Sequence, residues 1–204
     1  MKKKLNYLLV AGILTVSLAM IINDTTVYAA SSVNIMFGQK SLDGTNTWES
    51  VDLDSQREFG LGFEHQKPEW PVAVVASFLT SKDSASEVYS GVLFDSTGKT
   101  SEIGLGIKKY LNNNPSRFFV EGGVASIKAS VEICGSSGLT TLCESESDSA
   151  IGYWFGAGVD VKVSSAFSVG LFARMSDADT TILDEDTKAG GLHFAAFGAY
   201  HFGK

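Results

Sequence analysis

From residue 33 to the end of the chain, apolar side chains return at every second position. A period of two is the period of a β-strand, whose side chains point alternately to its two faces. Val33, Ile35 and Phe37 alternate with Asn34, Met36 and Gly38, and Phe59, Leu61 and Phe63 with Glu58, Gly60, Gly62 and Glu64. Ile103, Leu105 and Ile107 alternate with Glu102, Gly104, Gly106 and Lys108. The longest run holds seven apolar positions, from Ile151 through Tyr153, Phe155, Ala157, Val159 and Val161 to Val163. Phe167 to Met175 and Leu192 to Phe202 repeat the pattern. Two segments are less regular. Pro71 to Leu79 is apolar on both faces, and Phe118 to Ile133 changes phase near Ala125, which predicts a bulge there. Together these segments predict an all-β chain of eight strands.

The connections set the architecture. Those at 65–69, 112–116 and 164–166 are short, while those at about 41–56, 82–100, 134–149 and 177–190 are long. Short and long connections alternate along the chain. That order predicts an eight-stranded antiparallel up-and-down β-barrel with short turns at one rim and long loops at the other.

The charges decide what surrounds the barrel. The apolar face is nearly free of ionisable groups. The opposite face carries Glu58, Glu64, Glu102, Glu121 and Asp160 with Lys108, Lys162 and Arg174. So many charges cannot occupy a dry sandwich core, but they can pair inside the lumen of a barrel whose outside meets lipid. These eight residues are therefore expected to form a lumen ion-pair network. No apolar run of about 20 residues occurs past the N-terminus, so a helical membrane protein is excluded. Trp70, Tyr110, Tyr200 and Phe202 fall near the short-turn rim and are expected to form an interfacial aromatic girdle.

Lys2, Lys3 and Lys4 precede an apolar stretch from Leu8 to Ile22, and Val27-Tyr28-Ala29-Ala30 follows it. This is the layout of a secretory signal peptide spanning residues 1–29, with the barrel domain at 30–204. Its removal takes the net charge from −7 to −9. In an exported chain, Cys134 and Cys143 are expected to form a disulfide across the Gly135-Ser136-Ser137-Gly138 stretch. No further Cys or His accompanies them, so metal binding is not expected.

The strand count, the loop alternation and the closing segment from Gly191 to Phe202 resemble the small eight-stranded bacterial outer-membrane barrels, the OmpA/OmpX-like superfamily. The resemblance covers the whole chain after residue 29. It implies a Gram-negative outer-membrane location and periplasmic termini. It also implies folding by the barrel-assembly machinery, which reads a terminal aromatic residue in that group. Here Gly203 and Lys204 follow Phe202.

Eight strands leave a lumen that side chains can fill. The favoured expectation is a structural or surface-interaction protein with a plugged lumen, outer-membrane lipid and lipopolysaccharide as partners, and a monomeric state. The alternatives are a small channel or transporter for a hydrophobic or small polar solute, and a lipid-modifying barrel enzyme. For the last, His193 faces inward near the height of Ser176 and Glu102, but the His-x-Ser arrangement of lipid A deacylases is absent, and no catalytic residue is assigned. No Gly-rich phosphate loop occurs and no cofactor is expected. The acidic balance, 23 Asp and Glu against 16 Lys and Arg, argues against a nucleic-acid partner. The four long loops sum to −12. Two readings of that charge stand: bridging by divalent cations to anionic lipopolysaccharide, and a solvated surface that resists aggregation. Val88-Tyr89-Ser90-Gly91-Val92-Leu93-Phe94 either extends a hairpin beyond the membrane or forms an apolar lip.

Overall fold

A computed structural model describes residues 30–42, 48, 53–89, 92–112, 115–137, 140–182 and 185–202. The leader reading of residues 1–29 and most of the first acidic loop lie outside the described residues. Ten strands follow in chain order. They are β1 (Ala30–Leu42), β2 (Ser55–Gln66), β3 (Ala73–Tyr89), β4 (Val92–Tyr110), β5 (Ser116–Ser137), β6 (Thr140–Lys162), β7 (Phe167–Asp177), β8 (Asp179–Ile182), β9 (Glu185–Lys188) and β10 (Gly191–Phe202). Eight of them close an antiparallel barrel in the order β1-β10-β7-β6-β5-β4-β3-β2, and β8 pairs with β9 as a separate hairpin. Closure is made by β1 on β10, from Ser31 opposite Phe202 to Leu42 opposite Gly191, which leaves no open edge in the barrel itself. Ala30 at the start of β1, Phe202 at the end of β10 and the short turns share one rim.

The barrel is all-β and eight-stranded as the alternation predicts, and the outward positions are apolar. Phe37, Leu61, Ile103, Leu105, Phe118, Val124, Leu171 and Phe194 are all exposed on its outside. Two of the segments read as long connections are strands instead. β3 and β4 stay paired up to Tyr89 opposite Val92, and β5 and β6 up to Ser137 opposite Thr140. The apolar stretch around Val88 is thus the tip of an extended hairpin.

The expected bulge at Ala125 is corrected. Ala125 pairs with Gly104 on one side and Gly152 on the other, and the register runs unbroken through it. What changes at Ala125 is the surroundings. Below it, Phe118 and Val124 point outward and are exposed. Above it, Ile127, Ala129 and Val131 point inward and are buried, while Ser126, Lys128 and Glu132 take the outer face. The upper parts of β5 and β6 pack like a soluble protein, with an apolar core that also holds Leu42, Trp48, Leu53, Ala178, Ile182 and Ala189. Trp48 Nε1 donates to the Lys188 carbonyl at 3.0 Å and joins the first and last long connections over the barrel mouth.

Candidate functional site

The inward faces build the interior in layers. Nearest the mouth, β1 carries Lys40, β2 Glu58, β4 Glu102, β7 Arg174 and Ser176, and β10 His193, all buried. Glu102 is the hub. Its Oε1 lies 2.7 Å from Lys40 Nζ and accepts from Ser176 Oγ at 3.0 Å, and its Oε2 accepts from Arg174 Nη2 at 3.2 Å. Lys40 also donates to Thr100 Oγ1 at 3.1 Å and the Ala189 carbonyl at 2.8 Å. Arg174 donates to Ser77 Oγ at 3.0 Å and stacks over the Trp154 ring. Lys40, Glu102 and Arg174 thus each meet an opposite charge and a further polar partner, which a buried ion needs, while Glu58 Oε1 and Arg174 Nε are left without a hydrogen bond.

Toward the short-turn rim the polarity is reversed and one cation gathers anions. Lys108 Nζ lies 3.1 Å from Glu64 Oε2 and 3.3 Å from Glu121 Oε2, over the face of Phe119. Arg117 pairs with Asp160 and lies over the Tyr110 ring. Between the charged layers sit Met36, Leu79, Phe119, Phe172 and Phe197, with Trp154 crossing the lumen. Gly106 makes room for that crossing, because a Cβ there would lie 2.7 Å from Trp154 Cζ2. A small internal void of about 40 Å³ remains beside Lys108, Glu121, Trp154 and Arg174. That is space for about one to three waters.

Of the residues expected in the network, Glu102 and Arg174 meet in the upper layer, and Glu64, Lys108 and Glu121 in the lower. Glu58 meets His193, and Asp160 meets Arg117. Lys162 is exposed at the short-turn rim. Tyr110 requires a correction. It is buried in the lumen and its hydroxyl donates to Glu64 Oε2 at 3.1 Å, so it belongs to the ion-pair layer rather than to an outward girdle. It shares strand parity with Glu102 and Lys108, and that signal was open to reading. Trp70 stays at the rim beside His65 and Lys67, while Tyr200 and Phe202 are exposed outside with rings 6.3 Å apart. Lys40 and Arg117 each lie just outside an apolar run, Lys40 after Phe37 and Arg117 before Phe118, so the alternation alone does not mark them as inward.

Ser176 Oγ lies 3.0 Å from His193 Nε2, and His193 Nδ1 lies 2.5 Å from Glu58 Oε2. These are the distances of a nucleophile, a base and an orienting carboxylate. Here the group is sealed, with His193 fully buried, and Ser176 is shared with Glu102. The internal void touches neither Ser176 nor His193.

Above the barrel, Cys134 and Cys143 are disulfide-bonded at directly opposite positions of β5 and β6. The inner faces of β4, β5 and β6 here form an open apolar groove of about 640 Å³, lined by Val92, Phe94, Val131, Ile133 and Leu142 with Glu144 and Glu146. The β8–β9 hairpin is pinned beside it. Asp148 accepts the Thr181 backbone N–H at 2.8 Å, which holds its carboxyl below the usual range. Lys188 bridges Asp177 at 2.9 Å and Asp179 at 3.0 Å. Partial burial pushes the Asp177 carboxyl up, but Lys188 and the Tyr153 hydroxyl outweigh it and hold it low. The bond to Asp177 raises Lys188 in turn.

An antiparallel eight-stranded barrel, apolar outside and charged within, has the design of a transmembrane β-barrel, and the chain has the fold of the small eight-stranded outer-membrane barrels. No protein-family model and no curated protein matches the sequence. Solved structures do. The attachment invasion locus protein Ail of Yersinia pestis, in complex with the heparin analogue sucrose octasulfate, is 18% identical, with 86% of this chain and 100% of that chain covered at a TM-score of 0.56. Neisserial surface protein A is 11% identical over 88% and 100%, with a TM-score of 0.57. A major outer membrane protein of Thermus thermophilus is 12% identical over 86% and 100%, with a TM-score of 0.60.

Proposed function

We propose that the chain is an exported outer-membrane protein with a closed, rigid lumen, and that its work is done by the part that stands above the membrane. The observation that carries this reading is the layer around Glu102. Lys40, Arg174, Ser176 and His193 converge there from β1, β7 and β10 on a carboxylate of β4, directly beneath the apolar core of Trp48, Leu53, Ile127 and Ile182. A solute would have to break several charge-assisted bonds and displace a packed cap to pass. The head carries the open groove and several carboxylates, which supports a structural or surface-interaction role with lipopolysaccharide and outer-membrane lipid as its surroundings. Ail and the Neisserial surface protein, by name an attachment protein and a surface protein, support the same role.

Residues 1–29 serve in this reading as a cleaved leader, the barrel-assembly machinery inserts the chain, and Trp70, Tyr200 and Phe202 anchor the periplasmic interface. Planar-bilayer recording tests the closed lumen. The expected result is a quiet membrane with wild-type protein, and steady single-channel openings would overturn the proposal in favour of a channel. Intact mass of the protein from outer membranes tests the leader, with a mature chain beginning near Ala30 expected.

A further inference from the structure

On the outer wall of β2 to β5, cations stand next to one another with no carboxylate between them. Arg57 of β2 is directly opposite Lys82 of β3, Lys82 is directly opposite Lys99 of β4, and Lys128 of β5 lies opposite Ser101, one rung below Lys99. All four side chains are exposed. Directly opposed residues on neighbouring strands hold their Cβ atoms about 5 Å apart, and like charges so placed repel. Among the described residues none of the four forms an ion pair. The nearest carboxylates on the same face are Glu132, opposite Thr97 and so one rung above Lys99 on the diagonal, and Asp95, four residues above Lys99 on β4, which accepts from Ser86 Oγ at 2.5 Å. Among the described residues no carboxylate stands within the row itself, which suits it to an anionic ligand.

Its height says which. Two residues below Arg57 is Phe59. Below Lys82, Lys99 and Lys128 come first the hydroxyls Thr80, Ser101 and Ser126, then Phe78, Ile103 and Val124. Phe59, Phe78, Ile103 and Val124 are exposed on the lipid face. The wall therefore passes from apolar through hydroxyl to cationic within about five residues on β3, β4 and β5, and directly from apolar to cationic on β2, on the side of the long loops. The opposite wall carries Tyr153, Met175 and Leu192 at its upper edge and no such row. The row crosses three strand spacings, roughly 14 Å, wide enough for a headgroup with more than one phosphate. Lysine and arginine at a membrane surface recognise phosphates by charge and by forked hydrogen bonds.

We propose that Arg57, Lys82, Lys99 and Lys128 form a binding site for the phosphorylated headgroup of an outer-leaflet lipid. The site rests on the outer-membrane reading above and adds to it a fixed lipid position on one side of the barrel. It also changes the meaning of the acidic loops, since Lys82 and Lys99 belong to strand walls at headgroup height and not to the loops.

The test uses the mature full chain in phosphatidylcholine vesicles doped with bisphosphorylated lipid A or with its dephosphorylated form, and reads protein-bound lipid A after isolation. Heat-modifiable gel mobility is recorded first. If the wild type does not insert, the outer-membrane reading fails and this proposal with it. With insertion established, Lys82→Gln/Lys99→Gln is expected to bind bisphosphorylated lipid A at least ~10-fold more weakly than wild type, the equivalent of about 1.4 kcal/mol. Lys67→Gln/Lys109→Gln at the other rim is expected to bind as wild type does. Equal binding by the Lys82/Lys99 variant, or equal retention of the dephosphorylated lipid by the wild type, would overturn the site. Full competition by millimolar inorganic phosphate would overturn the lipid assignment in favour of a free-anion site. Should the double variant fail to fold, Arg57→Gln alone gives the same comparison with a smaller loss.

Discussion

The two halves of β5 obey opposite rules. From Phe118 to Ala125 its outward side chains, Phe118 and Val124 among them, are apolar, and Glu121 is among its inward ones. From Ser126 to Ser136 its outward side chains are Ser, Lys, Glu and the disulfide-bonded Cys134, and its inward ones are Ile127, Ala129, Val131 and Ile133. The strand, its register and its neighbours continue unchanged across the boundary. Only the solvent differs. In lipid, the apolar face goes out and charges pair inside. In water, the apolar face turns in and the charges go out. The chain thus joins a barrel with a polar interior to a head with an apolar core, and the layer around Glu102 is the seam between them.

Breaking the seam has the largest expected effect. Glu102→Ala leaves Lys40 and Arg174 buried beside each other without their shared carboxylate. A loss of about 3–5 kcal/mol is expected, measured by urea unfolding in vesicles. If Glu102→Ala unfolds at the wild-type midpoint, the seam does not hold the two parts together.

The same substitution on the same outer face should separate the two regions directly. Leu105→Arg places a charge in lipid and should cost about 2–4 kcal/mol. Ser147→Arg, outward on β6 in the head, should change stability by no more than about 0.5 kcal/mol. Equal effects at the two positions would mean that the boundary at Ala125 is drawn in the wrong place.

That boundary was the point at which the sequence was hardest to read. Alternation locates strands without stating which face is inside, and polarity supplies the face only when one solvent surrounds the whole strand. For β2, β7 and β10, which end near the boundary, the alternation places Glu58, Arg174 and His193 inside, as the structure has them. For β5 the change of solvent imitates a change of register, so an unbroken strand reads as a bulge at Ala125. The pairings inside the lumen needed coordinates for another reason. Glu102 meets Lys40 from a strand 62 residues earlier in the chain, and nothing local in the sequence marks the two as partners. Tyr110 was within reach of parity alone, but its aromatic character and its place at a strand end favoured the girdle reading.

The disulfide sharpens the comparison from the far end of the head. Cys134 and Cys143 close a nine-residue span at the tip of β5 and β6, far from the seam. Reduction, or Cys134→Ser/Cys143→Ser, should make local opening of that tip easier by about 2–3 kcal/mol. The measurement is proteolysis of intact vesicles, with faster cleavage near residues 134–143 and an unchanged unfolding midpoint for the barrel. A shifted midpoint would show that head and barrel unfold as one unit.

The smallest effect expected is on pH, and it should be confined to the head. Asp177 and Asp148, which tie the β8–β9 hairpin to β7 and β6, hold their protons less tightly in the folded state than in the unfolded chain. A carboxyl of that kind stabilises above its unfolded value, near 4, and the contribution disappears as the pH falls through the lower folded value. Lys188 is shifted upward by its bond to Asp177, so its contribution is complete below about pH 10. Hydrogen-exchange protection of residues 178–189 should therefore be the same at pH 7 and pH 5, and lower at pH 3. Lys188→Met should lower protection at pH 7 and flatten the acid dependence without touching protection in β1 and β10. If protection of the hairpin already falls between pH 7 and pH 5, these carboxylates are not what holds it. The pin would then lie in the apolar contacts of Ile182 and Ala189 with the rest of the head.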